Sequence, residues 1–372
     1  MNKEKRCIFH IPNYIDINRK SASNVRPLKM IEAFKENGYI VDIVMGYAKD
    51  RKKQIKQIKN NIKNGCKYDF MYSESSTMPT LLTEKHHLPL YPFLDFSLFK
   101  YCKKNGIKSG LFYRDLYWKF DVYKNVPILK RIFATFFYKY DLYKYKKLID
   151  IIYTPSEFVE RYLRNEKMVN PKTKIKLLPP GCDIKQLKEN KDCNKKELNI
   201  FYVGGISEEV YNFEKFIYAI NKLKDVNLTI CCREDEWKKE SCKFNKPLNN
   251  IKVIHANTNE LAEYYKKADV CSLLFKNNEY INMAMNFKLF EYISYNKPII
   301  ETKGTAAGEF VEKNDIGWLI NCEFNEIKEL VNYLISNKNE IQRIKTNQKN
   351  IIEKHTWKAR AKQVEEELKC IL

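Results

Sequence analysis

The sequence lacks any apolar run near the ~20 residues a membrane-spanning helix needs. The stretch behind its charged start, MNKEKRCIFHIP, is also too short for a secretory signal. The chain is therefore expected to be cytoplasmic, or peripheral at the inner face of a membrane. Its 11 cysteines are an odd number with no Cys-x-x-Cys spacing, and Cys7, Cys231, Cys232 and Cys271 sit inside apolar runs. That points to reduced core thiols rather than disulfides or a zinc site. No G-x-G-x-x-G follows the first strand, which argues against a nicotinamide or flavin cofactor. Neither an aromatic RNA-binding motif nor a zinc knuckle is present, so nucleic acid is not an expected partner.

What is present is globular. The 372 residues, 44% hydrophobic and 13% aromatic, suffice for two domains with sizeable cores. A net charge of +21 favours an anionic partner, although part of the lysine excess, alongside many Asn and Ile, fits a biased genome. The charge concentrates between residues 97 and 147, where thirteen Lys or Arg stand against three Asp, a net +10. Residues 127–147 in that stretch have helical spacing. Ile128, Ile132, Phe136, Tyr140 and Tyr143 line up, Leu129, Phe133 and Phe137 widen the stripe, and Lys130, Arg131, Lys139 and Lys146 take the far side. Packing of this stripe on the domain core is the favoured reading; its rival is contact with an anionic membrane surface.

Along the chain, residues 7–11 read as a strand, a helix begins near Ser23 and Asn24, and residues 40–44 form the next strand. This is the opening of a doubly wound parallel sheet. Ser23 and Asn24 serve equally as ligand contacts or helix caps. The strand in GLFYRDLYWKFDVY (110–123) ends in Arg114 and Asp115, at the sheet edge where open α/β folds place their sites. Asp115 reads as an acceptor base or orienter and Arg114 as a phosphate contact, or the two form a structural pair. The polar stretch 183–196 suits an interdomain linker.

A second sheet starts with LNIFYVGG (198–205), whose Gly204 and Gly205 let backbone approach a phosphate. Strand, helix and strand follow over 251–275. In NFKLFEYISYNKPII (286–300), Phe287, Leu289, Phe290 and Ile293 form a buried helix face, with Glu291 on the same helix and Pro298 stopping it. GTAAGEFVEKNDIGWLI (304–320) continues from there. From 326 onward two helices are expected, the last carrying Trp357.

This sequence of segments resembles a GT-B glycosyltransferase of the large retaining, sugar-nucleotide-dependent family (family 4-like). The resemblance covers nearly the whole chain and is most specific at 284–318. It implies an α/β fold of two Rossmann-like domains facing across a cleft. The acceptor domain would span 1–185, the donor domain 186–355, and a closing helix, 356–372, would return to the first. By the resemblance, Glu291 matches the Glu that hydrogen-bonds the nucleotide ribose, and the loop at Gly204 and Gly205 faces the donor diphosphate. Arg233 and Lys288 match recurring basic positions, and Thr305 and Ala306 lie beside the donor sugar or phosphates.

Two departures stand out. The family's Arg and Lys after the glycines are absent, replaced by acidic ISEEVYNFEK, and Met283 stands where many members carry a first Glu. The implied reaction is transfer of a sugar from a nucleotide-diphosphate sugar to the hydroxyl of a saccharide or lipid-linked acceptor, in surface polysaccharide or glycolipid assembly. Retention is implied by the resemblance, and the absence of Asp-x-Asp fits catalysis with no metal and no cofactor. The alternatives are a sugar-nucleotide epimerase on the same fold, or an inactive basic protein that binds membranes or polyanions.

Overall fold

The apolar runs become two parallel six-stranded sheets. The computed structural model describes residues 4–18, 21–185, 196–244, 248–257 and 260–371, so most of the expected linker at 183–196 lies outside them. The chain divides into two compact units, Met1–Gly181 with Trp357–Leu372, and Cys182–Thr356.

In the first unit the strands are β1 (Lys5–His10), β2 (Tyr39–Val44), β3 (Phe70–Glu74), β4 (Lys108–Phe112), β5 (Ile151–Thr154) and β6 (Lys174–Leu177), in the order β2-β1-β3-β4-β5-β6. All pair in parallel. The central strands are apolar on both faces, as a helix-covered parallel sheet requires, and Cys7, Ile8, Phe70, Met71 and Tyr72 are fully buried. Helix Trp357–Lys369 belongs to this unit. Its Leu368 packs where a side chain on Gly110 of β4 would stand.

The second unit holds β7 (Leu198–Val203), β8 (Val226–Cys231), β9 (Ile251–Ile254), β10 (Val270–Leu273), β11 (Ile299–Thr302) and β12 (Gly317–Ile320). Their order is β12-β11-β10-β7-β8-β9, the doubly wound pattern. The chain enters at the centre, builds outward through β9, and crosses to β10 on the other side. The carboxyl ends of β7 and β10 therefore flank the point where strand order reverses, which is where such sheets bind ligands.

Two expectations change. Three helices rather than two follow residue 324: Phe324–Ser336, Lys338–Ile351 and Trp357–Lys369, the first pair separated where Asn337 leaves helical geometry (φ −124°, ψ 61°). Helix Ile128–Leu148 forms as expected, but its stripe does not pack on the core. Ala134, Tyr138, Asp141, Leu142 and Tyr145 are buried instead, while Ile128, Leu129, Ile132, Phe133, Phe136 and Tyr143 are exposed. The polar groups decide the orientation. The Tyr138 hydroxyl donates to the Thr77 carbonyl, Asp141 accepts from the Thr80 amide at 2.7 Å, and the Tyr145 and Thr80 hydroxyls meet at 3.0 Å. Turned outward, that face would lose all three bonds.

Candidate functional site

The carboxyl edge of the second sheet gathers the groups singled out at 204, 205, 233, 288 and 291. β7 runs into Gly204, which adopts φ +137°, a conformation suited to glycine. Helix Phe287–Ser294 starts with Asn286 accepting from the Lys288 amide at 2.9 Å, and this cap aims Lys288 back at the glycine loop. A Cβ on Gly204 would overlap Lys288 Cε and Nζ. The Lys288 ammonium donates to the Tyr202 hydroxyl at 2.7 Å and the Tyr211 hydroxyl at 2.9 Å, which leaves one of its three hydrogens for a ligand. Burial pulls its pKa down to about 7 against the pull of Glu236, Glu291 and Glu301.

The amides of the loop are differently disposed than expected. Gly204 N–H donates to the Cys231 carbonyl at 2.9 Å, extending the ladder with β8, so it is not a free phosphate donor. Beyond the glycines, one oxygen of Glu236 accepts from the amides of Ile206 (2.7 Å) and Ser207 (3.1 Å). A carboxylate thus occupies the anion-binding backbone of this loop. Arg233, exposed at the end of β8, opens the helix Glu234–Glu240 that carries Glu236, and has no ion-pair partner among the described residues.

Glu291 lies one turn beyond Lys288. Burial raises its pKa, opposed by the adjacent Tyr265 hydroxyl, then Lys288 and Lys185. The Cys231 thiol, at the end of β8, feels both Glu291 and Glu260. Glu260 in turn lines a crevice of about 510 Å³ with His255 and Tyr264, at the end of β9. On the other flank, Glu301 of β11 is fully buried. Its Oε1 accepts from the Thr302 amide at 3.0 Å, Oε2 has no partner among the described residues, and burial pushes its pKa well up.

Thr305 and Ala306 are buried at the start of helix Ala306–Lys313. The Thr305 hydroxyl accepts from Gly308 N at 2.9 Å and donates to Thr302 O at 3.0 Å, so it is spent on the cap. Sequence reading missed Glu236, Tyr202, Tyr211 and Glu301. Only Glu236 had a local signal, the acidic run directly after Arg233.

The first-unit candidates are locally committed. Arg114 Nη2 donates to Glu74 Oε2 at 2.9 Å, so its partner is Glu74, not Asp115. Glu74 is fully buried and its other oxygen faces Arg26 Nε at 3.2 Å. Asp115, half-buried, accepts from the Tyr117 amide at 2.9 Å. Asn24 bonds Ser21 at 2.8 Å and accepts from the Asp16 amide at 3.2 Å, while Ser23 meets Ser21 at 2.9 Å. Ser21, two residues before Ser23, is the residue preceding helix Ala22–Glu36. No cluster of three or more His, Cys, Asp or Glu able to hold a metal ion occurs among the described residues.

Comparison with known proteins places this geometry in context. Residues 209–366 match the family model described as glycosyl transferase-like. No curated protein matches the sequence. Among solved structures, sucrose-phosphate synthase from Thermosynechococcus elongatus is similar at TM-score 0.64 and 14% identity, covering 97% of this chain and 98% of its own. A glycosyltransferase from Rickettsia africae gives 0.64 and 14%, with complete coverage of both chains. Anabaena HepE, solved in complex with UDP, gives 0.65 and 12% over 98% of this chain and 99% of its own. The fold is GT-B, and residues 209–366, mostly in the second unit, are similar to the glycosyl transferase-like family.

Proposed function

We propose that this GT-B chain transfers a glycosyl group from a nucleotide-diphosphate sugar to the hydroxyl of a saccharide or lipid-linked acceptor. The observation that carries the reading is the convergence of Lys288 on Gly204, with Glu291 one helical turn away and Arg233 at the adjoining strand end. One side of the site then offers cations to a diphosphate and the other a carboxylate to a ribose. The crevice at His255 and Tyr264, at the end of β9, suits the base. Nucleotide-sugar binding is also in keeping with the UDP complex of the structurally similar HepE.

As the bond from the anomeric carbon to the diphosphate breaks, negative charge grows on the leaving oxygen. Lys288 and Arg233 stabilise it in a partly desolvated site, where fixed charges act strongly. These two replace the cations missing after the glycines. Asp115 remains the candidate to orient or deprotonate the acceptor, and retention follows the resemblance at 284–318. An epimerase is not favoured by the comparisons.

The test is thermal unfolding with a panel of nucleoside diphosphates and their sugars, since a ligand held by the native state raises its stability. Glu291→Ala should abolish the ligand-induced rise while leaving the ligand-free transition nearly unchanged. Equal losses in both would overturn the ribose role, and no rise with any nucleotide would overturn the donor site.

A further inference from the structure

Helix Ile128–Leu148 has two apolar faces, and the protein uses only one. At about 100° per residue, Ala134, Tyr138, Asp141, Leu142 and Tyr145 define the buried side. Ile128, Leu129, Ile132, Phe133, Phe136 and Tyr143 fall within an arc of about 140° on the opposite side. They are 60%, 79%, 63%, 45%, 64% and 51% exposed, and such a contiguous patch of large apolar side chains is unusual on a soluble surface. The same helix carries Lys130, Arg131, Lys139, Lys144, Lys146 and Lys147. Its only acid, Asp141, is buried, and none of these six cations has a carboxylate partner among the described residues.

We propose that this outer face is a docking surface for a bilayer containing anionic lipid. The charge pattern selects that occupant. The uncompensated cations, of which Lys139, Lys146 and Lys147 share the outward arc and Lys144 borders it, attract a negative headgroup layer, while the Ile, Leu and Phe side chains of that arc enter the acyl boundary, the geometry of an in-plane amphipathic helix. A second copy of this chain fits poorly, because an isologous contact here would face the same cations against one another. No described helix is long and apolar enough to cross a membrane, so docking is peripheral.

Flotation of the full chain with vesicles tests this. It should float with equimolar phosphatidylcholine and phosphatidylglycerol but not with phosphatidylcholine alone, and raised salt should weaken the binding. Lys130→Gln and Lys139→Gln should each weaken it about fivefold. Ile132→Ser with Phe136→Ser should weaken it by at least about tenfold. Because these positions are exposed, the unfolding temperature and nucleotide response should stay those of the parent, which separates failed docking from a failed donor site. Equal binding to both vesicles, no binding to either, or apolar variants that bind like the parent would overturn the proposal. So would a concentration-dependent dimer, by sedimentation, that Ile132→Ser with Phe136→Ser dissolves.

Discussion

Lys288 fills the space that any side chain at position 204 would need, so Gly204 and Lys288 form one unit although 84 residues separate them. Gly204→Ala must both strain a φ of +137° and displace the Lys288 amine from Tyr202 and Tyr211. A left-handed strain alone costs on the order of 1–3 kcal/mol. The expected outcome is a lower unfolding midpoint together with weaker nucleoside diphosphate binding by calorimetry. Unchanged affinity would show that Lys288 does not serve the diphosphate.

The pKa of about 7 at Lys288 makes donor binding pH-dependent. A bound diphosphate favours the charged amine, so binding takes up a proton when the free site is neutral. Affinity should hold below pH 7 and fall above it, by up to about tenfold per pH unit, until the raised pKa of the complex is passed. Lys288→Met should flatten the profile. Titration in buffers of different ionisation enthalpy reads the proton uptake directly.

Glu74 lies between Arg26 and Arg114, all three largely buried. Glu74→Ala leaves two guanidinium groups facing each other without a counter-charge, and the expected loss is about 3–5 kcal/mol by denaturant unfolding. Arg114→Met should lose stability before it loses activity per folded molecule. The opposite order would restore Arg114 to a direct role with the acceptor.

Burial raises Asp141 to about 7, against support from Thr80. A carboxyl with a folded pKa above its unfolded value favours the native state in the protonated form. Its contribution is intact below about pH 4 and is lost as pH rises toward 7. Asp141→Asn should therefore stabilise the protein at pH 8 by on the order of 3 kcal/mol, with little gain at pH 4. Melting curves across that range decide it.

Much of the candidate site in the second unit was legible because its signals are local. Phe287, Leu289, Phe290 and Ile293 declare a helix face, and the spacing of Lys288 and Glu291 fixes both on one turn. The strand entering Gly204 is equally plain in LNIFYVGG. What stayed hidden depends on residues distant in sequence. Glu236 reaches amides 30 and 29 positions earlier, and Glu74 takes Arg114 from 40 positions away. Nothing in RD at 114–115 marks the true partner. On helix Ile128–Leu148 periodicity revealed the helix but not its inward side, because apolar residues occupy both. Three polar bonds from Tyr138, Asp141 and Tyr145 settled that choice.

The carboxylate of Glu236 gives the loop after Gly205 an internal placeholder. With Ile206 and Ser207 already satisfied, the loop is held by a contact of its own. Under the proposed donor role, the ordering cost of the loop is met once, when the chain folds, and not again at each encounter.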